Sequence, residues 1–303
     1  MTTTHDESIA AEQPDAFADR VTDLNDAPIR DGAYVLYWMQ QSQRAHFNHA
    51  LEYAVGIANA RSLPVVVAFG VTADYPDANE RHFRFMLDGL CETSRDIRER
   101  GIGFVLRIGK PVDVVLELGR SAAAIVCDRG YLRHQREWRF EVGRSAVCRV
   151  VEVESDLVVP VEVASGKQEY AARTIRPRVQ RQLGRFLIPL ASEPVRVRFD
   201  ALSPAGEDPL DVAALMRALS PVRGPGTAER FFQGGPGVAR SRFREFAMKI
   251  DHYEERRNEP SLDVTSGMSP YLHFGQISSL WMALEVGATD FAAALAGGRG
   301  RMS

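Results

Sequence analysis

Thr265, Ser266, Gly267, Met268 and Ser269 lie side by side in the stretch DVTSGMSPYLHFGQISS (263–279), directly ahead of Pro270. Serine is a preferred helix N-cap and proline a preferred first helical residue, so the spacing predicts a helix that starts at Ser269 and Pro270. A helix start leaves backbone N–H groups without intrahelical partners and carries the positive end of the helix dipole. Three hydroxyl groups add further hydrogen-bonding atoms, and Gly267 lets a ligand approach the backbone. Together these make an anion site suited to a phosphate or pyrophosphate. On the residues alone a second reading stays open, a helix start that satisfies only itself.

Other chemistry is poorly supported. The three cysteines, Cys91, Cys127 and Cys148, stand far apart with no CxxC and no zinc spacing, so they read as buried thiols of a reducing compartment and no metal is expected. No apolar run approaches the ~20 residues that span a bilayer, and the N-terminus lacks the basic and apolar regions of a secretory signal. A soluble, cytoplasmic protein without a membrane partner is the expectation. Net charge is only −3, but its distribution is uneven. Residues 1–30 hold seven acids against two arginines, whereas residues 170–190 hold five arginines and no acid, and residues 223–257 hold eight basic groups against five acidic ones. Basic charge gathers in the second half, where a polyanion could dock, or where helices show a solvated face.

The elements that must position these residues fall into two styles. AYVLYWMQ (33–40), LPVVVAFGV (63–71), GFVLRIG (103–109), AAIVCD (123–128) and CRVVEVES (148–155) read as buried strands. Helical patterns alternate with them at 47–60, 79–100, 111–122 and 133–144. That alternation predicts an α/β fold built on a doubly wound, parallel, five-stranded sheet. The first strand exits into MQQSQRAHFN, with no GxGxxG, which argues against a standard dinucleotide fold and against an ATP-using enzyme with a phosphate loop there. After Pro160 the strands stop. KQEYAARTIRPRVQRQLGRF reads as helical with a break at Pro177, residues 189–226 as a linker or surface excursion with one short helix, and GTAERFFQ and VARSRFREFAMKIDHYEERR as helices. The predicted divisions are a flexible acidic segment 1–30, an α/β domain 31–160, linker and helices 161–226, and a helical domain 227–303.

Several of these stretches resemble one family. TSGMSPYLHFGQIS resembles the flavin-phosphate segment of the photolyase/cryptochrome superfamily, and its HFGQIS ending resembles the class II, pyrimidine-dimer-splitting branch. YEERRNEP (253–260) resembles a class II stretch that ends in Asp-Pro, with Glu259 in place of the Asp, and KQEYAARTIRP (167–177) resembles a class II junction signature. VLYWMQQSQRAHFNHAL (35–51) and RHFRFMLDGL (81–90) are similar to the family's first strand and second helix. The resemblance spans about residues 30–290. It implies a Rossmann-like, antenna-type α/β domain followed by an all-α FAD-binding domain, and light-driven splitting of cyclobutane pyrimidine dimers by electron transfer from reduced, anionic FAD, the activity of a carbon–carbon lyase in DNA repair. It implies flavin contacts at Tyr253, Thr265, Ser266, Gly267, Met268 and Ser269, a DNA-binding role for Arg257, UV-damaged DNA as partner, and a monomer. An antenna chromophore is compatible with it, of an identity the residues leave open.

Family members continue well past the HFGQIS helix, into residues that complete the flavin pocket and carry the electron-transfer tryptophans. The expectation is therefore a C-terminally truncated chain with a partial FAD-binding domain, its catalytic residues lying in the missing part, FAD binding that is weak or absent, and exposed apolar faces on the 227–256 and 279–286 helices. Rival readings are a cryptochrome-like flavin- or DNA-binding regulator without repair and an inactive fragment. Trp38 and Trp138 read as packing residues, and His273 and Gln276 carry no assigned role.

Overall fold

The computed structural model describes residues 14–17, 19–199, 206–221, 232–250, 253–259, 261–262 and 264–287. Its centre is a six-stranded sheet in the order β1-β6-β5-β2-β3-β4. The strands are β1 (Val21–Asp23), β2 (Tyr34–Trp38), β3 (Val65–Val71), β4 (Gly103–Ile108), β5 (Ala122–Asp128) and β6 (Arg149–Val153). The five expected strands are all present and parallel. The sixth, β1, is antiparallel to β6 at the sheet edge. It raises the expected count of five strands to six and lies within the segment 1–30 expected to be flexible, of which residues 1–13 and 18 are outside the described residues; Arg20 is buried and donates to the carbonyls of Glu154, Leu157 and Val158 at 3.1, 2.9 and 2.5 Å. Three residues are too few for an alternation pattern to show, so only pairing with β6 reveals the strand.

Before the sheet comes α1 (Pro14–Phe17); between the strands run α2 (His49–Arg61), α3 (Glu80–Glu99), α4 (Pro111–Gly119) and α5 (Arg133–Ser145). Helices α2 and α3 cover the sheet face of Val35, Tyr37 and Val67, and α4 and α5 cover the face of Leu36, Trp38 and Val66. This is the doubly wound arrangement, with each strand feeding side chains alternately to two cores. Each fully buried Val, Leu or Ile there contributes roughly 1.5–3 kcal/mol.

After the sheet the chain is helical: α6 (Val161–Ala164), α7 (Ala172–Phe186), α8 (Val212–Leu219), α9 (Pro236–Ala247), α10 (Tyr253–Arg256), α11 (Ser269–His273) and α12 (Ser279–Val286). Helix α7 runs through Pro177 without the expected break. Proline removes one N–H from the ladder but fits the helical φ, and the apolar stripe Ile175, Val179, Leu183 and Phe186, packed on Val159 and Ala164, holds the turn. The surface excursion is not detached: the Phe199 amide donates to Gly101 O at 2.8 Å, the Glu207 amide to Leu106 O at 2.7 Å, and Leu215 and Leu219 of α8 join the first core. The chain thus covers the open edge of β4. The single helix expected over VARSRFREFAMKIDHYEERR is two, α9 and α10, and GTAERFFQ lies mostly outside the described residues, with Phe232 and Gln233 not helical. Apolar faces of α9 and α12 are not bare. Phe243 and Trp281 meet at 5.7 Å between ring centres and, with Met282 and Val286, close over Phe85 and Tyr271.

Candidate functional site

The hydroxyl-rich loop enters α11 one step away from the expected geometry. Met268, not Ser269, holds the N-cap position and makes no side-chain cap bond. Ser266 Oγ instead accepts from the Met268 amide at 3.4 Å. Gly267 has φ 62°, a left-handed conformation that glycine adopts without strain and that swings the chain from Ser266 into the helix. Met268 is buried at 2 % exposure, whereas Thr265 and Ser269 are exposed, and neither of their hydroxyls hydrogen-bonds among the described residues. The loop therefore anchors on Met268 and leaves two hydroxyls open.

A cation stands behind it. A side chain at Gly267 would come 3.5 Å from Arg242 Nη2. The Arg242 guanidinium lies over the Phe232 ring at 4.9 Å from its centre. Tyr271, beside it, is fully buried and donates to Gln233 O at 2.8 Å; burial raises its pKa and Arg242 pulls it back down. Arg242 escapes a sequence reading because Arg240, Arg242 and Arg244 share one helix, and only packing decides which of them faces the loop.

The loop is fixed to the sheet through the far end of α11. Gly275 has φ 64°, and a side chain there would collide with the Gln41 carbonyl oxygen. Arg44, itself buried, donates to Gly275 O at 2.9 Å and to Ser155 O at 2.8 Å and pairs with Asp156 at 3.2 Å. Gln276 is 1 % exposed; it accepts from the Gly235 amide at 2.7 Å and donates to Phe85 O at 3.1 Å. Its role is to lock α3 to the start of α9. His273 is exposed and borders a cavity of about 780 Å³ that Arg81, Phe85, Phe232, Ser269 and Pro270 also line.

Tyr253 and Arg257 form a separate group. Tyr253 is half-buried against Phe246, edge to face at 5.6 Å, and Arg257, exposed, lies over the Tyr253 ring at 5.8 Å. The expected shared face is present, but as a cation–π stack. Among the described residues no hydrogen bond, ion pair or ring contact joins this pair to the Thr265–Ser269 loop.

A second concavity opens at the C-terminal ends of β2, β3 and β5, with a volume of about 950 Å³. Strands β2 and β5 are neighbours although not consecutive, so chain order reverses there, the place where ligands enter open α/β sheets. Tyr75, His134 and Trp138 meet edge to face at 4.9 to 6.2 Å on its wall, and Trp138 also packs against the second core. Gln40 Oε1, Gln43 Oε1 and His134 Nε2, all on lining residues, are buried without a hydrogen-bond partner. The loop leaving β2 has no free anion site. Asp128 Oδ2 accepts the amides of Gln40, Gln41 and Ser42 at 2.8, 2.9 and 3.0 Å, and Asp128 Oδ1 accepts from the Tyr37 hydroxyl at 2.7 Å. Burial, then Asp156, raises the Asp128 pKa from 3.8 to about 6, with these hydrogen bonds opposing. Among the described residues no cluster of His, Cys, Asp or Glu could hold a metal ion, and no helix is long and apolar enough to cross a membrane.

Known proteins share both the sequence and the architecture. The deoxyribodipyrimidine photo-lyase of Methanothermobacter thermautotrophicus is 43% identical over 270 residues, which is 88% of this chain and 59% of that protein. The chain spans about half the length of the curated relatives it matches, 47% to 59% of each. A class III photolyase from Agrobacterium tumefaciens has a similar structure at TM-score 0.65 and 18% identity, covering 88% of this chain and 56% of that one. So does a photolyase from Sulfolobus tokodaii solved with two FAD molecules, at TM-score 0.62 and 18% identity, covering 86% and 56%. The DNA photolyase family profile matches residues 35–196, from β2 through α7, and the chain belongs to that family.

Proposed function

We propose that this chain is part of a class II photolyase that repairs UV-damaged DNA by light-driven splitting of cyclobutane pyrimidine dimers. The observation that carries this is the 43% identity, across 88% of the chain, to a protein named deoxyribodipyrimidine photo-lyase. The class II assignment rests on the HFGQIS, RRNEP and RTIRP stretches. Reduced, anionic FAD supplies the electron when bound. The residues present fit its diphosphate: the open hydroxyls of Thr265 and Ser269, the left-handed Gly267 and the nearby Arg242 form a cationic, donor-rich loop. Met268 contributes backbone and Ser266 positions it, while in the separate Tyr253–Arg257 stack Tyr253 is the flavin contact and Arg257 the DNA-binding residue. The cavity at the sheet's switch point suits an antenna chromophore, a planar molecule that stacks on the aromatic wall of Tyr75, His134 and Trp138. A monomeric, cytoplasmic protein completes the reading.

The test is repair itself. Irradiated oligonucleotides are exposed to blue light with the chain and chemically reduced FAD, and dimers are counted by chromatography. Loss of dimers in light and not in darkness is expected; dimers unchanged at stoichiometric protein sink the repair reading for this chain.

A further inference from the structure

We propose that the outer face of α7 is a second DNA-binding surface, a phosphate track separate from Arg257 that grips duplex DNA without regard to damage. It rests on the reading of the chain as a DNA-repair protein. Helix α7 carries five arginines and no acid. Two are engaged: Arg178 with Glu169 at 3.3 Å and Arg185 with Asp19 at 2.6 Å. Arg173, Arg176 and Arg181 are exposed and make no ion pair or side-chain hydrogen bond among the described residues. Lys167 is exposed just upstream, and Tyr170, 86% exposed, offers an uncovered aromatic ring beside them.

The arrangement selects the ligand. At about 100° per residue the three free guanidiniums fan around the exposed half of the helix, and from Arg173 to Arg181 they climb roughly 12 Å. No single small anion can reach all three. A polyanion with a regular row of phosphates can, and duplex DNA carries a charge every ~1.7 Å along its axis. The track is also rigid, because Ile175, Val179, Leu183 and Phe186 fix the opposite face of the helix to Val159 and Ala164. A surface that holds phosphates without reaching base edges positions a duplex and reads no sequence.

The experiment is equilibrium binding of the whole chain to an undamaged fluorescent duplex over a series of salt concentrations. Removing three phosphate contacts with R173Q/R176Q/R181Q should lower the slope of log K against log salt by about 2.7, so that between 50 and 200 mM salt the triple variant loses about 40-fold less affinity than the parent. The charge-matched control R61Q/R98Q/R120Q, at exposed positions elsewhere, should keep the parental slope. All six side chains are exposed, and circular dichroism checks that both variants fold; if the triple variant does not, R176Q alone should lower the slope by about 0.9. No measurable duplex binding by the parent, an unchanged slope in the triple variant, or an equal loss in the control each overturns the proposal. A dimer-containing duplex separates this from the repair reading. The ratio of damaged to undamaged affinity should exceed one and be the same in parent and triple variant. A ratio of one with a lowered slope removes damage recognition and leaves the α7 track; a raised ratio with an unchanged slope does the reverse.

Discussion

Two loops of this protein gather hydrogen-bond donors in the same way and finish differently. The loop leaving β2 points the amides of Gln40, Gln41 and Ser42 at one spot, and the protein fills that spot with the buried carboxylate of Asp128. The loop entering α11 presents the hydroxyls of Thr265 and Ser269, and no carboxylate of the described chain closes on them. A donor cluster that is satisfied internally builds structure; one left open is available to a ligand. The distinction lies in the partner, because both loops are short and polar and each is anchored by buried residues, Met39 at the one and Met268 at the other.

The contrast predicts which substitutions act on stability and which on binding. The largest effect belongs to Asp128→Ala, which orphans the buried Ser42 amide, the part-buried amides of Gln40 and Gln41 and the buried Tyr37 hydroxyl; urea unfolding at neutral pH should show a loss of ~3 kcal/mol or more. Little loss there would mean that water substitutes for the carboxylate. Gln276→Leu comes next, leaving the Gly235 amide unpaired and removing the second bond to the Phe85 carbonyl in the seam between α3 and α9. A loss of about 2–3 kcal/mol is expected in thermal melts, and a second, earlier transition would show that the helical part had uncoupled from the sheet.

The third effect is a pH dependence. Folded Asp128 titrates at about 6 against 3.8 unfolded, so the folded state binds the proton more tightly between those values. Its contribution is complete below the unfolded value and is lost as pH rises through the folded one. Relative to the parent, Asp128→Asn should therefore gain stability between about pH 4 and pH 7, on the order of 2 kcal/mol. A flat difference across that range would mean that the carboxylate is charged throughout. Smallest on stability are Thr265→Ala and Ser269→Ala, within about 0.5 kcal/mol because both side chains are exposed and unbonded. Their consequence should appear in fluorescence titration with FAD, as an affinity several-fold weaker than the parent's. A stability loss matching that of Gln276→Leu would mark the α11 loop as structural and erase the contrast.

The parallel strands were legible in the sequence because a strand buried on both faces must be apolar almost throughout, and YVLYW and VVVAF have no other use. The donor-rich loop was legible for a similar reason: hydroxyls, glycine and proline at that spacing have few purposes. Tertiary contact decided the rest. Val21–Asp23 is a strand only because β6 offers an edge, and α7 survives Pro177 only because four apolar residues pack on Val159 and Ala164. Arg242 joins the loop, and neither Arg240 nor Arg244 does, through the way α9 lies on α11. Gln276 looked like one more polar residue of a motif until the Gly235 amide and the Phe85 carbonyl were found on either side of it. Residue type and spacing fix what a segment is able to do, since propensity and burial pattern are local. Whether a donor is spent or open depends on partners from distant parts of the chain, and only packing brings those together.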